Sequence, residues 1–381
     1  MRYILSIIIP TKNRQYYALN SVKQILAVCG SDVEIIIQDN SDEATLKDQL
    51  SELPCENIVY NYKAGVLSFV DNFDLAIGLS SGKYVMIIGD DDGVTSLALK
   101  IAKWADHNNI CAVRPALSFV YFWPDSKVFD HEDNGILHIY NYSGKITKYD
   151  PKNGMKSLLR QSCQNYLDSK LLKLYHGIVR RDLLEHIKKK TGRYVGGLSP
   201  DIYLSVALSL TAENEAFDIN IPATISGICM GSGSSQSATG EHTGKLEEAP
   251  HFRGHTDYEW NKKIPRFYSV ETIWGDSAMA AVQNINPDYA DYYKPETLTY
   301  RCLRKYPLFK PEIMRSYYEN GGNKLRLGIC YLSRVVNKLL SIAKYKQVGK
   351  PQIKNKLSTI MDASRECELW IEEHGSMVNL K

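Results

Sequence analysis

The sequence lacks any apolar run long enough to cross a membrane, since none approaches the about 18 to 20 apolar residues that a spanning helix needs. Its eight cysteines include no C-x-x-C pair, the spacing typical of metal and redox sites. Residues 1–10 carry one basic residue and a short apolar run, which does not make a secretory signal. These absences predict free thiols and a cytoplasmic protein, either in the cytosol or peripheral on the cytosolic face of the inner membrane.

An excess of charge is also missing, because 46 Lys and Arg residues face 43 Asp and Glu residues and leave a net charge of +3. This balance argues against a nucleic-acid partner. The charge is nevertheless uneven, since residues 324–356 contain no Asp or Glu and interleave basic with apolar residues at helical spacing. Such a segment fits an anionic membrane surface. The alternative is a helix packed on the protein with a solvated basic face.

The first hundred residues alternate strand and helix patterns. Continuous β-branched runs at 3–9, 33–37 and 83–88 are typical of strands buried on both faces of a parallel sheet. Apolar residues at helical spacing fill 13–29 and 69–79 between them. The sequence therefore predicts an α/β fold, Rossmann-like, in which helices flank a mostly parallel sheet and ligands bind at the carboxyl ends of the strands.

We expect three regions in the 381-residue chain. Residues 1–113 form the first half of the α/β domain and residues 114–262 its second half. The second half contains a Gly/Ser-rich loop at 227–244, and long loops inside compact domains are often lids. Residues 263–381 are mainly helical and form a C-terminal extension.

Three adjacent carboxylates, Asp90, Asp91 and Asp92, follow the strand at 83–88. Like charges this close repel each other, and a bound divalent cation relieves the repulsion. Hard oxygen ligands suit Mn²⁺ or Mg²⁺. In extended backbone Asp90 and Asp92 point to the same side and form a pair for one metal ion. The alternative is a solvated acidic turn.

Four motifs in order resemble the family 2 glycosyltransferases of the GT-A type. They are residues 6–14 (SIIIPTKNR), residues 34–41 (EIIIQDNS), Asn72, and residues 82–92 (GKYVMIIGDDD). The resemblance covers roughly the first 110 residues strongly and the next 120 more loosely. It implies a GT-A sheet, in which residues 1–113 are the nucleotide-sugar-binding half and residues 114–262 the acceptor-binding, catalytic half. It also implies a setting in bacterial surface-polysaccharide synthesis, such as capsule or O-antigen.

The resemblance also implies roles for individual residues. Asp39 is similar to the family aspartate that reads uracil, and Asp92 to the direct metal ligand, with Asp90 handling ribose and metal. The whole implied donor-binding set comprises Pro10, Thr11, Arg14, Asp39, Asn72, Asp90 and Asp91.

An inverting transfer needs a base to take the proton of the acceptor hydroxyl. Asp201 opens a predicted helix about 110 residues after the acidic triplet, where related enzymes carry their base. The alternative is that it stabilises only the helix N-terminus. Further candidates are His176, Ser234 and His251 for the acceptor or the loop, and His242 as a metal ligand delivered by the loop. For each histidine the alternative is a structural role.

These features predict an inverting, metal-dependent transferase. It would move a sugar from a UDP-sugar to a saccharide or a lipid-linked saccharide. A sugar nucleotidyltransferase is the first alternative, but it usually needs a glycine-rich loop after the first strand, and residues 10–14 contain no glycine. A catalytically inactive scaffold is the second. The intact acidic triplet and Asp201 argue against it.

Overall fold

The structure is a computed structural model of the chain. It describes the backbone alone at 248, 250 and 335–345. The described residues are 2–53, 55–126, 128, 135–231, 243–248, 250–252, 258–345, 350–375, 378 and 380.

The chain alternates strands and helices up to about residue 116 and is mainly helical after about residue 269. The strands are β1 (Leu5–Thr11), β2 (Glu34–Asp39), β3 (Ile58–Tyr62), β4 (Tyr84–Ile87), β5 (Gly93–Val94), β6 (Ala112–Ala116), β7 (Phe119–Phe122), β8 (Ile136–Ile139), β9 (Ile146–Tyr149), β10 (Ile178–Arg180), β11 (Ala216–Pro222), β12 (Thr224–Ile228), β13 (Thr243–Gly244), β14 (Tyr268–Ser269) and β15 (Gln352–Asn355). The α-helices are α1 (Gln15–Cys29), α2 (Leu46–Ser51), α3 (Phe69–Leu79), α4 (Leu97–His107), α5 (Pro151–Arg160), α6 (Arg181–Thr191), α7 (Pro200–Thr211), α8 (Val270–Ile285), α9 (Glu296–Lys305), α10 (Lys310–Glu319), α11 (Lys324–Tyr345) and α12 (Ile360–Glu373).

A large sheet carries the fold, with strand order β3-β2-β1-β4-β10-β6-β11-β9. β1, β2, β3 and β4 are parallel, as are β6 and β11, whereas β10 and β9 run antiparallel to their neighbours. Helices flank both faces of the sheet. The predicted α/β architecture with a mostly parallel sheet and a helical C-terminal region is therefore confirmed.

Alternate residues of β1 enter two different cores, because successive side chains of a strand point to opposite faces. Ile8 lies in a core with α3, α5, α7 and α8. Ile7 and Ile9 lie in a second core with α1, α4 and α12. A smaller sheet of order β15-β8-β7-β12-β5 covers part of that second core.

The C-terminal region returns to the first half of the chain. α12 packs on α1, where the side-chain amide of Gln24 donates to the hydroxyl of Ser364 over 2.8 Å. The same amide donates to the carbonyl of Val94 over 2.7 Å. Among the described residues, no helix is both long and apolar enough to cross a membrane.

Candidate active site

Neighbouring strands end at one edge of the large sheet and bring the predicted donor residues together. β2, β1 and β4 lie side by side and parallel, so their carboxyl ends meet. Thr11 ends β1 and pairs in register with Asp39, which ends β2. The hydroxyl of Thr11 donates to Oδ2 of Asp90, just beyond β4, over 2.7 Å. We call the group formed by Thr11, Asp39 and Asp90–Asp92 the acidic rim.

Asp39 is fully buried within the rim, next to Pro10 and Thr11 of the adjacent strand. Its Oδ1 accepts from the backbone N–H of Ser41 over 2.8 Å, and its Oδ2 accepts from the hydroxyl of Tyr60 over 2.9 Å. Contact with a nucleobase would therefore use a second acceptor position on one of these oxygens. Asn72 of α3 also reaches the rim, because its amide donates to the Thr11 carbonyl over 3.4 Å.

Residues 89–92 form a turn, so the expectation of extended backbone is wrong. The N–H of Asp92 faces the carbonyl of Gly89 over 3.3 Å. Trp123 and Ser21 hold the turn from below. The indole N–H of Trp123 donates to the Asp91 carbonyl over 3.0 Å, and the hydroxyl of Ser21 donates to the Asp90 carbonyl over 2.9 Å.

The turn makes Asp90 and Asp91 face the same cation, which is Arg14 at the start of α1. Its Nε lies 2.9 Å from Oδ1 of Asp90, and an outer guanidinium nitrogen lies 3.1 Å from Oδ2 of Asp91. Burial alone would lower the pKa of Arg14, but the charges of Asp90 and Asp91 outweigh it and raise that pKa above its ordinary value. Arg14 is thus a permanent positive charge inside the rim.

Burial dominates the ionisation of the two carboxylates that Arg14 contacts. It raises the pKa of Asp90, although Arg14 and the hydrogen bond from Thr11 act in the opposite direction. Burial and the neighbouring charge of Asp92 raise the pKa of Asp91 to about 7. The cluster therefore carries less negative charge at neutral pH than three free aspartates would.

Asp92 faces away from Arg14, toward residues that are distant from it in the sequence. Its Oδ1 accepts from the N–H of Gly227 over 2.7 Å. Its Oδ2 accepts from the hydroxyl of Tyr175 over 3.0 Å and lies 3.3 Å from Nε2 of His176. Residues 174–176 reach this position because Tyr175 pairs with Ile87 beside β4.

His176 is held by contacts on both ring nitrogens. Nδ1 lies 2.9 Å from the hydroxyl of Thr224, and its backbone has a positive φ of 57°. Burial lowers the pKa of His176, and Asp92 only partly offsets this effect. The imidazole is therefore mainly neutral at physiological pH. His176 contacts Asp92 of the acidic rim, and its expected role at the acceptor stays a prediction.

Two glycines allow this close packing. A Cβ at Gly227 would lie 1.8 Å from the carbonyl oxygen of Asp91. A Cβ at Gly89 would lie 2.7 Å from the Tyr175 hydroxyl and 3.0 Å from one carboxylate oxygen each of Asp91 and Asp92. Gly89 thus leaves no room for a side chain, because three oxygen atoms pack against it.

The carboxylates beside Gly89 offer the type of ligand atom that a divalent cation uses. Oδ1 of Asp91 and Oδ2 of Asp92 are hard oxygen atoms that both lie close to Gly89. In the described part of the chain, no three His, Cys, Asp or Glu side chains could hold a metal ion. Mg²⁺ commonly uses one or two carboxylates together with substrate phosphates.

Asp201 lies in the first turn of α7, as the sequence predicts, and its side chain is half-buried. Burial and the charge of Asp92 raise the pKa of Asp201 to about 6, and Lys173 acts in the opposite direction. Asp201 is therefore close enough to the acidic rim to be coupled to it electrostatically. A carboxylate with this pKa can accept a proton near neutral pH.

Sequence reasoning missed Lys173 and Tyr175, which surround Asp201 and Asp92. The ammonium of Lys173 donates to the Leu167 carbonyl over 2.5 Å and lies 5.4 Å from the ring centre of Tyr166. Burial lowers the pKa of Lys173 to about 8. The only available signal was their position next to His176 in the sequence.

Of the remaining loop candidates, only His251 falls within the described residues. Ser234 and His242 lie outside the described residues, as does most of the predicted loop at 227–244. His251 packs between Phe69 and Tyr268, with ring centres 5.3 Å and 5.7 Å apart.

A parallel sheet with an acidic turn beyond β4 and a carboxylate opposite it has the architecture of a GT-A fold. The model of Glycosyl transferase family 2 matches residues 6–164, which run from β1 past the end of α5. This segment is similar to family 2 glycosyltransferase domains, and the enzyme class is glycosyltransferase. No curated protein matches the chain.

Crystal structures of S. aureus TarS also match the chain. TarS 1-349 in complex with UDP-GlcNAc is 12% identical, with 84% of this chain and 93% of that chain covered and a TM-score of 0.47. TarS 1-349 in complex with UDP is 12% identical, with 80% and 73% covered and a TM-score of 0.43. A further structure of TarS 1-349 is 12% identical, with 83% and 91% covered and a TM-score of 0.45.

Proposed function

We propose that the enzyme transfers a sugar from a UDP-sugar to a hydroxyl group of a saccharide or a lipid-linked saccharide, with inversion at the anomeric carbon. The observation that carries the proposal is the pairing of a buried acidic turn with a partly buried carboxylate, Asp201, whose pKa is about 6. The acidic turn suits the binding of a diphosphate with its counter-ion, and Asp201 suits the role of proton acceptor. The family 2 domain supports the same reaction class.

The nucleoside end of the donor is assigned to the first two strands. Asp39 would accept a hydrogen bond from the uracil N–H, and Thr11 and Asn72 lie beside it at the rim. Arg14 neutralises Asp90 and Asp91 and thereby lowers the electrostatic cost of bringing a diphosphate next to them. Pro10 fixes the backbone that leads into Thr11.

Mn²⁺ or Mg²⁺ is proposed as cofactor, held by Asp92 together with Asp91. When bound, the cation would neutralise charge on the departing diphosphate. Asp90 was predicted to pair with Asp92 at the metal, but its carboxylate faces Thr11 and Arg14. We therefore assign Asp90 to donor binding.

Asp201 is proposed as the general base. It takes the proton of the acceptor hydroxyl while that oxygen forms its bond to the anomeric carbon, and the electron pair of the broken bond leaves with the diphosphate. The positive end of the α7 dipole holds the carboxylate at the helix start. The hydroxyl of Tyr175 and the imidazole of His176 position Asp92 beside this reaction.

The proposed setting is the cytosolic face of the membrane, in the synthesis of a surface polysaccharide such as capsule or O-antigen. All eight cysteines are free thiols, which supports a reducing compartment. The sequence motifs around Asp39 and Asp90–Asp92 support the polysaccharide setting by resemblance.

Donor binding is tested first, by thermal shift with nucleoside diphosphates and nucleotide-sugars, with and without Mn²⁺. A ligand that binds the folded state at 100 times its Kd should add about 2.7 kcal/mol of stability. We expect metal-dependent stabilisation by uridine ligands that Asp92→Ala abolishes. Stabilisation by ligands of another nucleoside alone would overturn the UDP assignment. An equal thermal shift by uridine ligands without metal would overturn the assignment of a metal cofactor.

The base is tested with Asp201→Asn, and Asp182→Asn provides a matched control. Both aspartates lie in the first turn of a helix, but Asp182 is paired with Arg180 on the surface. Asp201→Asn should lose about 10²- to 10⁴-fold in turnover with donor binding unchanged. Turnover by the wild type should fall as pH drops below about 6, where Asp201 is protonated. Equal turnover by the two variants would exclude Asp201 as the base.

A further inference from the structure

α11 exposes a stripe of large apolar side chains on the protein surface. Leu325 is 75% exposed, Ile329 57% and Leu332 71%. They are spaced by four and three residues, so they share one face of the helix. Burying such side chains in an apolar environment is favourable. Three such side chains on one face of a helix form an apolar patch, and covering this patch would be favourable.

The opposite face of α11 is fixed to the protein. The ring of Tyr331 lies 4.5 Å from that of Tyr300 in α9, edge to face. Arg334 donates to the hydroxyl of Thr297 over 3.0 Å. At 3.6 residues per turn Arg334 lies roughly 180° and Tyr331 roughly 130° from the centre of the exposed stripe. The stripe therefore cannot turn inward while the anchors hold.

Basic residues flank the apolar stripe on both sides. Lys324 and Arg326 are exposed and lie on either side of Leu325 around the helix. No acidic residue occurs between 324 and 356. We propose that this face of α11, defined by Lys324, Leu325, Arg326, Ile329 and Leu332, docks on an anionic membrane surface, with its leucines in the headgroup region and its cations against lipid phosphates.

Charge decides between a membrane and a second copy of the chain. Two copies that paired through this face with parallel helices would bring their cations together, where like charges repel, and an antiparallel pair would leave the cations without acidic partners from α11. An anionic bilayer instead supplies the opposite charge along both edges and an apolar layer between them. The proposal goes beyond sugar transfer, because it concerns where the enzyme is held. It would stand even if the donor assignment failed.

Flotation of the full chain with vesicles tests the docking. Vesicles of phosphatidylcholine that contain phosphatidylglycerol should carry the protein at low salt, and vesicles of phosphatidylcholine alone should not. The triple variant Leu325→Gln, Ile329→Gln, Leu332→Gln should lose about tenfold or more in vesicle affinity. The pair Lys324→Gln, Arg326→Gln should lose about tenfold or more as well, and high salt should have the same effect on the wild type.

Leu369→Gln is the matched control, since Leu369 is 54% exposed on α12 but has acidic neighbours, Glu366 and Glu368. Its vesicle affinity should equal that of the wild type. Unfolding curves that overlay for all variants would show that binding, not folding, has changed. Absence of flotation with anionic vesicles, or flotation unchanged in the triple variant, would overturn the proposal. So would light scattering that shows a dimer of the wild type and a monomer of the triple variant.

Discussion

Arg14 shows how a single residue can relieve the repulsion between neighbouring carboxylates, an effect that we expected from a metal ion alone. Its guanidinium joins Asp90 and Asp91 and also donates to the thiol sulfur of Cys229 over 2.7 Å. A carboxylate cluster this buried would otherwise be largely protonated. The arginine therefore lets the rim be built before any donor or cation arrives.

Replacing Arg14 by methionine should destabilise the fold and abolish donor binding. Removing one partner of a buried ion pair leaves an uncompensated charge, and we expect a loss of up to about 3 kcal/mol, because part of the Arg14 side chain reaches solvent. Urea denaturation measures it. Arg193→Met is the control, since Arg193 pairs with Asp71 in a more exposed position. Equal losses for both variants would show that Arg14 is an ordinary surface cation.

Secondary-structure elements near the N-terminus could be predicted from sequence because local patterns determine them. The isoleucine runs of β1 and β2 and the apolar run of β4 defined the sheet edge where Thr11, Asp39 and Asp90 meet. Pairings between distant segments could not be predicted. Tyr175 joins β4 beside the rim across 88 residues of chain, and no local pattern encodes that contact.

The turn at 89–92 was mispredicted for a related reason. An isolated D-x-D reads as extended backbone, but here β12 passes close against the turn. That approach requires glycine at 227, where a Cβ would lie 1.8 Å from the Asp91 carbonyl oxygen. A contact across about 135 residues thus decides where each carboxylate points.

Gly227→Ala should therefore disrupt the site through the backbone alone. The added methyl group must push the Asp91 carbonyl away, and overpacking of this kind costs about 1–3 kcal/mol. The Tm of thermal unfolding and the stabilisation by bound donor should both fall. Gly78→Ala is the control, since its Cβ would lie 3.7 Å from Tyr194 inside α3, where alanine favours the helix. Donor stabilisation that survives in Gly227→Ala would contradict this account of the turn.

At the scale of the whole molecule, the C-terminal region belongs to the same core as the first strands. Ile360, Cys367 and Ile371 of α12 are buried in the core that contains Ile7 and Ile9. The division of the chain at residues 113 and 262 stays a prediction about function. In packing terms, the core that contains α12 combines residues from the N-terminal and C-terminal parts of the chain.

Burial of an aspartate on α8, the helix that packs in the core with Ile8, makes the stability of the molecule depend on pH. Asp276 of α8 is fully buried, and accepts from the N–H of Asn261 over 2.8 Å and from the hydroxyl of Tyr258 over 2.5 Å. Burial raises the pKa of Asp276 from 3.8 to about 7. The folded state therefore holds a proton that the unfolded state has released between these two pH values, so the free energy of unfolding should fall as pH rises from about 4 to about 7.

Asp276→Asn should remove this contribution, because the amide cannot ionise. Each unit of pKa shift corresponds to about 1.4 kcal/mol, so the variant should become more stable than the wild type by up to about 4 kcal/mol above pH 7, while the two converge near pH 4. Urea denaturation at several pH values measures the difference. Asp288→Asn, on the exposed 3₁₀ turn after α8, should follow the wild-type curve. If the Asp276→Asn and wild-type curves stay parallel from pH 4 to pH 8, Asp276 is ionised in the folded state throughout, and the hydrogen bonds from Asn261 and Tyr258 outweigh its burial.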